Sequence, residues 1–217
     1  MTARVRARSR RPPRVNDPEG VRRNIIEVAT REFAQKGYGG ARVDAIAART
    51  RTSKRMIYYY FGSKESLYLA VLEEAYSAIR RTEATLDLDS LAPEAALRTL
   101  VGSTFDYYHQ HPEFVRLVMN ENIMDGAHMA RSTTIGKLNV TVIDALKSII
   151  ARGQKVGIFR RDIDPIELHM SISALGIFHV ANRATFSLIF RHDMTSPKAL
   201  ATRRTQIVEI VLSHVSR

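Results

Sequence analysis

Lys54, Arg55, Tyr58, Tyr59 and Tyr60 crowd into seven positions of the segment RVDAIAARTRTSKRMIYYYFGSK, residues 42–64, where Asp44 is the one acid. These side chains suit a polyanion. Arg can bond a guanine edge at two points and Lys as a single donor group. Tyr hydroxyls and Lys64 suit phosphate oxygens, which set register without reading sequence. Ser53 is placed to cap a short helix, so Lys54 and Arg55 fall in its first turn, the part of a groove-bound helix that reaches bases. Successive helical residues turn by about 100°, so three tyrosines in a row cannot share one core face. Tyr58 is expected to be partly packed and Tyr59 exposed.

The elements that position these residues form a helix-turn-helix. A helix runs from Val43 to about Arg49, a turn covers Thr50 to Thr52, and a second helix ends near Phe61. Ile46, Ala47, Ile57 and Phe61 are the apolar positions that bury between them. Upstream, Asp17-Pro18-Glu19 is a helix start, with a capping acid, a proline at the first helical position and an acid at the positive helix end. Val21, Ile25, Val28, Ala29 and Phe33 then recur at helical spacing, and Lys36-Gly37 closes that helix.

Charge supports the same reading. The net charge is +11, and residues 1–64 hold 16 of the 33 basic but only 5 of the 22 acidic side chains. Residues 65–217 balance to zero. This is a polyanion-binding front end on a neutral body. Residues 1–16 form an arginine-rich arm with Arg4, Arg6, Arg8, Arg10, Arg11 and Arg14. The arm cannot bury enough apolar surface to fold and is expected to be disordered, with minor-groove or phosphate contact as its further use.

The body reads as further helices: from Lys64 to about Thr85, Pro93 to about Gln110, Glu113 to about Met124, Ala127 to Lys155, Asp164 to about Phe190, and Ser196 to about Val215. The fold class is therefore all-α, with about nine helices. Three units follow: the arm at 1–16, a helix-turn-helix domain at 17–63, and a helical effector-binding and dimerisation domain at 64–217. The chain has no cysteine and no apolar run near the roughly 18 residues that span a bilayer. It is expected to be soluble and cytoplasmic. No phosphate-binding glycine loop, nucleophile elbow or His-Glu-x-x-His pattern is present, so neither an enzyme nor a cofactor or metal is expected.

The stretch from Ile25 to Leu67, through ATREFAQKGYGGARVDAIA and TSKRMIYYYFGSKESL, resembles the DNA-binding domain of the TetR (tetracycline repressor) family of bacterial regulators. Phe33, Gly37, Tyr38, Val43, Ile46, Ala47, Ser53, Tyr58, Phe61, Lys64 and Leu67 fall at the family's spacing. The resemblance implies Arg42, Arg51, Thr52, Ser53, Lys54, Arg55, Tyr58, Tyr59, Tyr60 and Lys64 as DNA-binding residues. Three positions depart from the family by adding a cation: Arg42, Arg51 and Arg55. Arg51 stands where a glycine would relieve a left-handed turn, at a cost of about 1 kcal/mol.

The resemblance also implies a homodimer that binds a double-stranded DNA operator and releases it on binding a small-molecule effector. The last two helices carry the expected dimer stripes, Leu168, Ile172, Leu175 and Phe178 in one, and Ile207, Val208, Val211 and Leu212 in the other. Tyr107, Phe114, Met119, Phe178, His179 and Asn182 mix apolar bulk with polar tips and are the candidate effector-pocket residues. The alternative is an architectural or effector-independent DNA-binding protein, which would need no such cavity.

Overall fold

The computed structural model describes residues 17–217, and the arginine-rich arm lies outside the described residues. Within them the chain forms ten α-helices: α1 Pro18–Gly40, α2 Val43–Thr50, α3 Lys54–Phe61, α4 Lys64–Ala84, α5 Pro93–Gln110, α6 Pro112–Ile123, α7 Thr133–Lys155, α8 Pro165–Ala181, α9 Arg183–Phe190 and α10 Pro197–Val215. Pairing of extended backbone is confined to one isolated bridge between Phe159 and Ser216. The fold is all-α. No single helix among the described residues is long and apolar enough to cross a membrane.

Local chemistry accounts for most helix ends. Asp17, Ser53, Ser63, Ser132, Asp164 and Ser196 each accept a backbone N–H in the first turn that follows, satisfying a donor the helix leaves open. Gly37 takes φ 65°, ψ 174°, and breaks the end of α1 where the sequence places the stop.

Two boundaries differ from the sequence expectation. The helix expected from Ala127 begins instead at Thr133. Glu121 accepts the N–H groups of His128 and Met129 at 3.2 and 3.0 Å, which draws residues 129–131 into a separate 3-10 turn. The helix expected to reach Phe190 breaks at Asn182, and α8 and α9 meet at 67°. There the Asn182 amide donates back to the Phe178 carbonyl at 3.3 Å, a local bond that competes with helix continuation.

Three clusters make up the core. The first joins α1, α2, α3 and the N-terminal half of α4 around Phe33, Ile46, Ile57 and Tyr68, and takes in Leu117 of α6 and Ile135 of α7. The second fills the body around α5, α7, α8 and α10. A smaller aromatic cluster, with Tyr107, Tyr108 and Phe114, lies beside Ile79 of α4.

The expected dimer stripes are corrected here. Leu168 and Ile172 of α8, and Ile207, Val208, Val211 and Leu212 of α10, are buried in the subunit's own core. A stripe marks the face that leaves water, and on α8 and α10 that face is spent inside the chain. Phe178 is exposed, together with Ile166 and Met170 of α8 and Ile210 of α10.

Candidate DNA-binding surface

The turn between α2 and α3 is set by three residues. Thr50 donates its hydroxyl back to Ile46 at 2.9 Å and ends α2. Arg51 takes the left-handed conformation, φ 53°, ψ 30°. Ser53 then accepts the Met56 N–H at 3.2 Å and opens α3. Ile57 and Phe61 bury in the first core, which holds α3 with its other faces outward.

The outward set contains the residues expected from the sequence. Lys54, Arg55 and Tyr58 are exposed, and Tyr59 is 78% exposed against 38% for Tyr58. Tyr60 is half-buried and meets the Tyr59 ring edge-on at 5.5 Å. Arg42, Arg51 and Ser53 are exposed, and Thr52 is half-buried. Met56, also exposed, was not singled out from the sequence, because a methionine at helical spacing reads as core.

Two cations are engaged. Lys54 Nζ lies 3.1 Å from an Asp44 carboxylate oxygen, joining α3 to the start of α2. The hydrogen bond to Asp44, then its charge, raises the Lys54 pKa. Lys64 Nζ sits 4.7 Å above the Tyr38 ring, a cation–π contact that aims the first residue of α4. Arg55 has no ion-pair partner among the described residues.

Glu32 braces the unit from within. Fully buried on α1, it accepts from Lys36 at 2.8 Å, Arg49 at 3.1 Å and the Arg42 N–H at 3.3 Å. Burial works to raise its pKa, but the bonds from Lys36 and Arg42 and the neighbouring charges outweigh it and leave the carboxyl below its ordinary value. Arg42 is therefore held through its backbone while its side chain stays exposed. Only the Glu32–Lys36 spacing was legible in the sequence, as an (i, i+4) pair.

The six candidate pocket residues do not share one cavity. Tyr107 and Phe114 pack edge-on at 5.9 Å and line a cleft of about 650 Å³ against Arg22 and Ile26 of α1. Phe178 and His179 line a different cleft, of about 470 Å³, with Phe186, Met194 and Arg203. Burial first, then the charge of Arg203, lowers the His179 pKa to about 4. Met119 is exposed on α6, and Asn182 sits at the α8–α9 break. Among the described residues, no group of three or more His, Asp or Glu could hold a metal ion.

Residues 25–71 match the family described as "Bacterial regulatory proteins, tetR family", and residues 93–211 match "Tetracyclin repressor-like, C-terminal domain". The HTH-type transcriptional repressor NicS of Pseudomonas putida is 37% identical over 204 residues, which cover 94% of this chain and 96% of NicS. The chain belongs to the TetR family of transcriptional regulators. A second relative, the HTH-type transcriptional regulator RutR of Escherichia coli, is 31% identical over 150 residues, 69% of each chain.

Solved structures agree on the fold. A tetR-family regulatory protein from Rhodococcus superposes with a TM-score of 0.71 at 21% identity, covering 90% of this chain and 97% of that one. A Streptomyces coelicolor transcriptional regulator gives 0.67 at 26% identity, covering 90% and 98%. As a TetR-family protein, the chain is a DNA-binding regulator and not an enzyme, and its helix-turn-helix is the α2–α3 unit described above.

Proposed function

We propose that the protein is a homodimeric repressor that holds a near-palindromic operator with two α3 helices and releases it when a small molecule occupies the body. The observation that carries this reading is the continuity of α4. Its 21 residues run without a break from Lys64, beside the recognition helix, to Arg80 and Glu83 among the body helices. A helix of that length is a rod of about 30 Å. A shift at its far end therefore changes the separation of two DNA-reading heads that must match half-sites about 34 Å apart. A ligand that binds the DNA-incompatible geometry better moves the equilibrium by that difference in affinity and no more.

The exposed Ile166, Met170 and Phe178 of α8, with Ile210 of α10, support a dimer through the outer faces of these two helices. Arg42, Arg51, Thr52, Ser53, Lys54, Arg55, Tyr58, Tyr59, Tyr60 and Lys64 form the operator surface, acting in the cytoplasm. Gel-shift titration of the protein against its own upstream region tests the reading. Operator-sized DNA should be preferred over random DNA by three or more orders of magnitude, roughly the specific-to-non-specific ratio of such regulators. Equal affinity for both would refute it.

A further inference from the structure

Arg80 lies inside the body with only 9% of its surface exposed, and its guanidinium is not satisfied there. Glu83, one turn on, contacts it at 2.9 Å. Yet Arg80 Nε and Nη1 and Glu83 Oε1 have no hydrogen-bond partner. A buried cation with open donors is costly unless something completes it. Both residues border a cleft of about 430 Å³ between α4, α5 and α7, walled by Leu88, Leu100, Leu138 and Val142. Arg81, also on the cleft, is held by Glu74 at 2.6 Å and is exposed.

We propose that this cleft is the effector site and that its ligand is a monocarboxylate on an apolar body, with the carboxylate bonded to Arg80 in place of Glu83. This rests on the effector-release reading above and supplies the ligand class. An apolar wall with one buried cation suits a single negative charge, since a dianion such as phosphate would leave net charge out of water. The planar guanidinium offers paired donors in the spacing of a carboxylate.

Glu83 must give way without leaving a second buried anion. Burial first, offset by the charge of Arg80, pushes its pKa up to about 7, so it can leave as the neutral acid. The other groups packed around the pair are shifted by the same burial. Tyr76 of α4 and Tyr107 of α5 are pushed up to about 12 by burial. Tyr108 of α5 is raised and His169 of α8 lowered, burial being the first cause in each. The cleft-facing residues of α7 are Leu138, Thr141, Val142 and Ala145, which do not titrate here. Ligand binding should therefore take up about one proton and weaken as pH rises above 7.

The test uses the full-length protein with benzoate and straight-chain C4–C10 carboxylates as probes. Benzamide, the matching alcohols and inorganic phosphate are the controls. At millimolar concentration at least one carboxylate should raise the melting temperature by about 2–4 °C, while the neutral analogues and phosphate should not. Affinity should fall about tenfold per pH unit above 7. Arg80→Met should lose at least tenfold in affinity. Glu83→Gln should bind about tenfold tighter at pH 8 and lose the pH dependence; because it retains Arg80, it decides the matter if Arg80→Met does not fold. No stabilisation by any carboxylate, or equal binding to wild type and Arg80→Met, would overturn the proposal. So would a Glu83→Gln variant that keeps the wild-type pH profile. Fluorescence anisotropy on bound operator separates the two readings. Arg80-dependent binding without DNA release sinks effector release, whereas release by a neutral probe sinks the carboxylate assignment.

Discussion

Glu121 accepts the His128 Nδ1–H at 2.8 Å, and both residues are buried where the helix-turn-helix unit meets the body. The His128 ring lies 4.3 Å from that of Tyr38 and 4.9 Å from that of Tyr68. Tyr38 in turn carries Lys64 on its face. A body contact thus reaches the first residue of α4 through the tilted rings of His128 and Tyr38. Asn120 adds a bond to the Phe33 carbonyl at 3.2 Å, fastening α6 to α1.

Glu121→Ala removes the acceptor of three donors at once. Leaving buried N–H groups without partners costs about 2–4 kcal/mol. Urea unfolding should show a lower midpoint at unchanged slope; a loss below about 1 kcal/mol would mean that water replaces the carboxylate.

Asp44 restrains Lys54, so Asp44→Asn should free that amine for DNA. Affinity at low salt should rise about threefold or more, and the dependence of log affinity on log salt should steepen by about 1 for each added phosphate contact. An unchanged slope would place Lys54 away from the DNA.

Arg51→Gly relieves the left-handed residue at the end of α2. Stability should increase by about 1 kcal/mol, while DNA affinity falls and the salt slope becomes shallower. Increases in both stability and affinity would show that the cation makes no contact.

Arg55→Ala should change which bases are preferred, at about 1–3 kcal/mol of discrimination, whereas Lys64→Ala should weaken all sites alike. Competition gel-shifts with single-base operator variants measure the difference. Equal behaviour of the two would defeat the division into base and phosphate contacts.

Glu83 and His179 should give opposed pH dependences of stability. Glu83, with a folded pKa of about 7 against 4.5 free, binds its proton more tightly when folded. Its contribution is full below pH 4.5 and is lost as pH rises to 7. His179, with a folded pKa of about 4 against 6.5, resists protonation when folded, so stability is lost as pH falls from 6.5 towards 4. Each slope is at most about 1.4 kcal/mol per pH unit, and less for His179, whose open cleft admits screening solvent. Between pH 4.5 and 6.5 the two oppose each other. Glu83→Gln should uncover loss of stability on acidification, and His179→Gln the reverse, both read by urea midpoints across pH. Parallel profiles for the two variants would refute the pairing.

The helix-turn-helix was legible because its determinants are local. Asp17, Ser53 and Gly37 act on backbone within one turn, and Ile46, Ile57 and Phe61 show their inward faces by spacing alone. The body was harder. Tyr107 and Phe178 both read as aromatic pocket candidates, yet they line separate clefts on different helices, a matter of how α5, α8 and α10 cross. The α8 and α10 stripes were read as a dimer face, yet most of their residues bury in the chain's own core and Phe178 stays exposed, because spacing does not say whether the covering surface is the same chain or a second one.

Arg80–Glu83 and Asp144–Lys147 show where local information stops. Both are ion pairs three residues apart on long helices. In sequence both are (i, i+3) pairs of opposite charge, differing only in type and order, and neither spacing signals burial. In the fold the first pair is about nine-tenths buried and the second about 60% exposed. By itself the sequence determined most of the helices, their caps and the basic outward face of α3, since each depends on neighbours within a turn. Only the packing of α5 and α7 over α4 decided which charges leave water, because burial depends on what the rest of the chain lays on top.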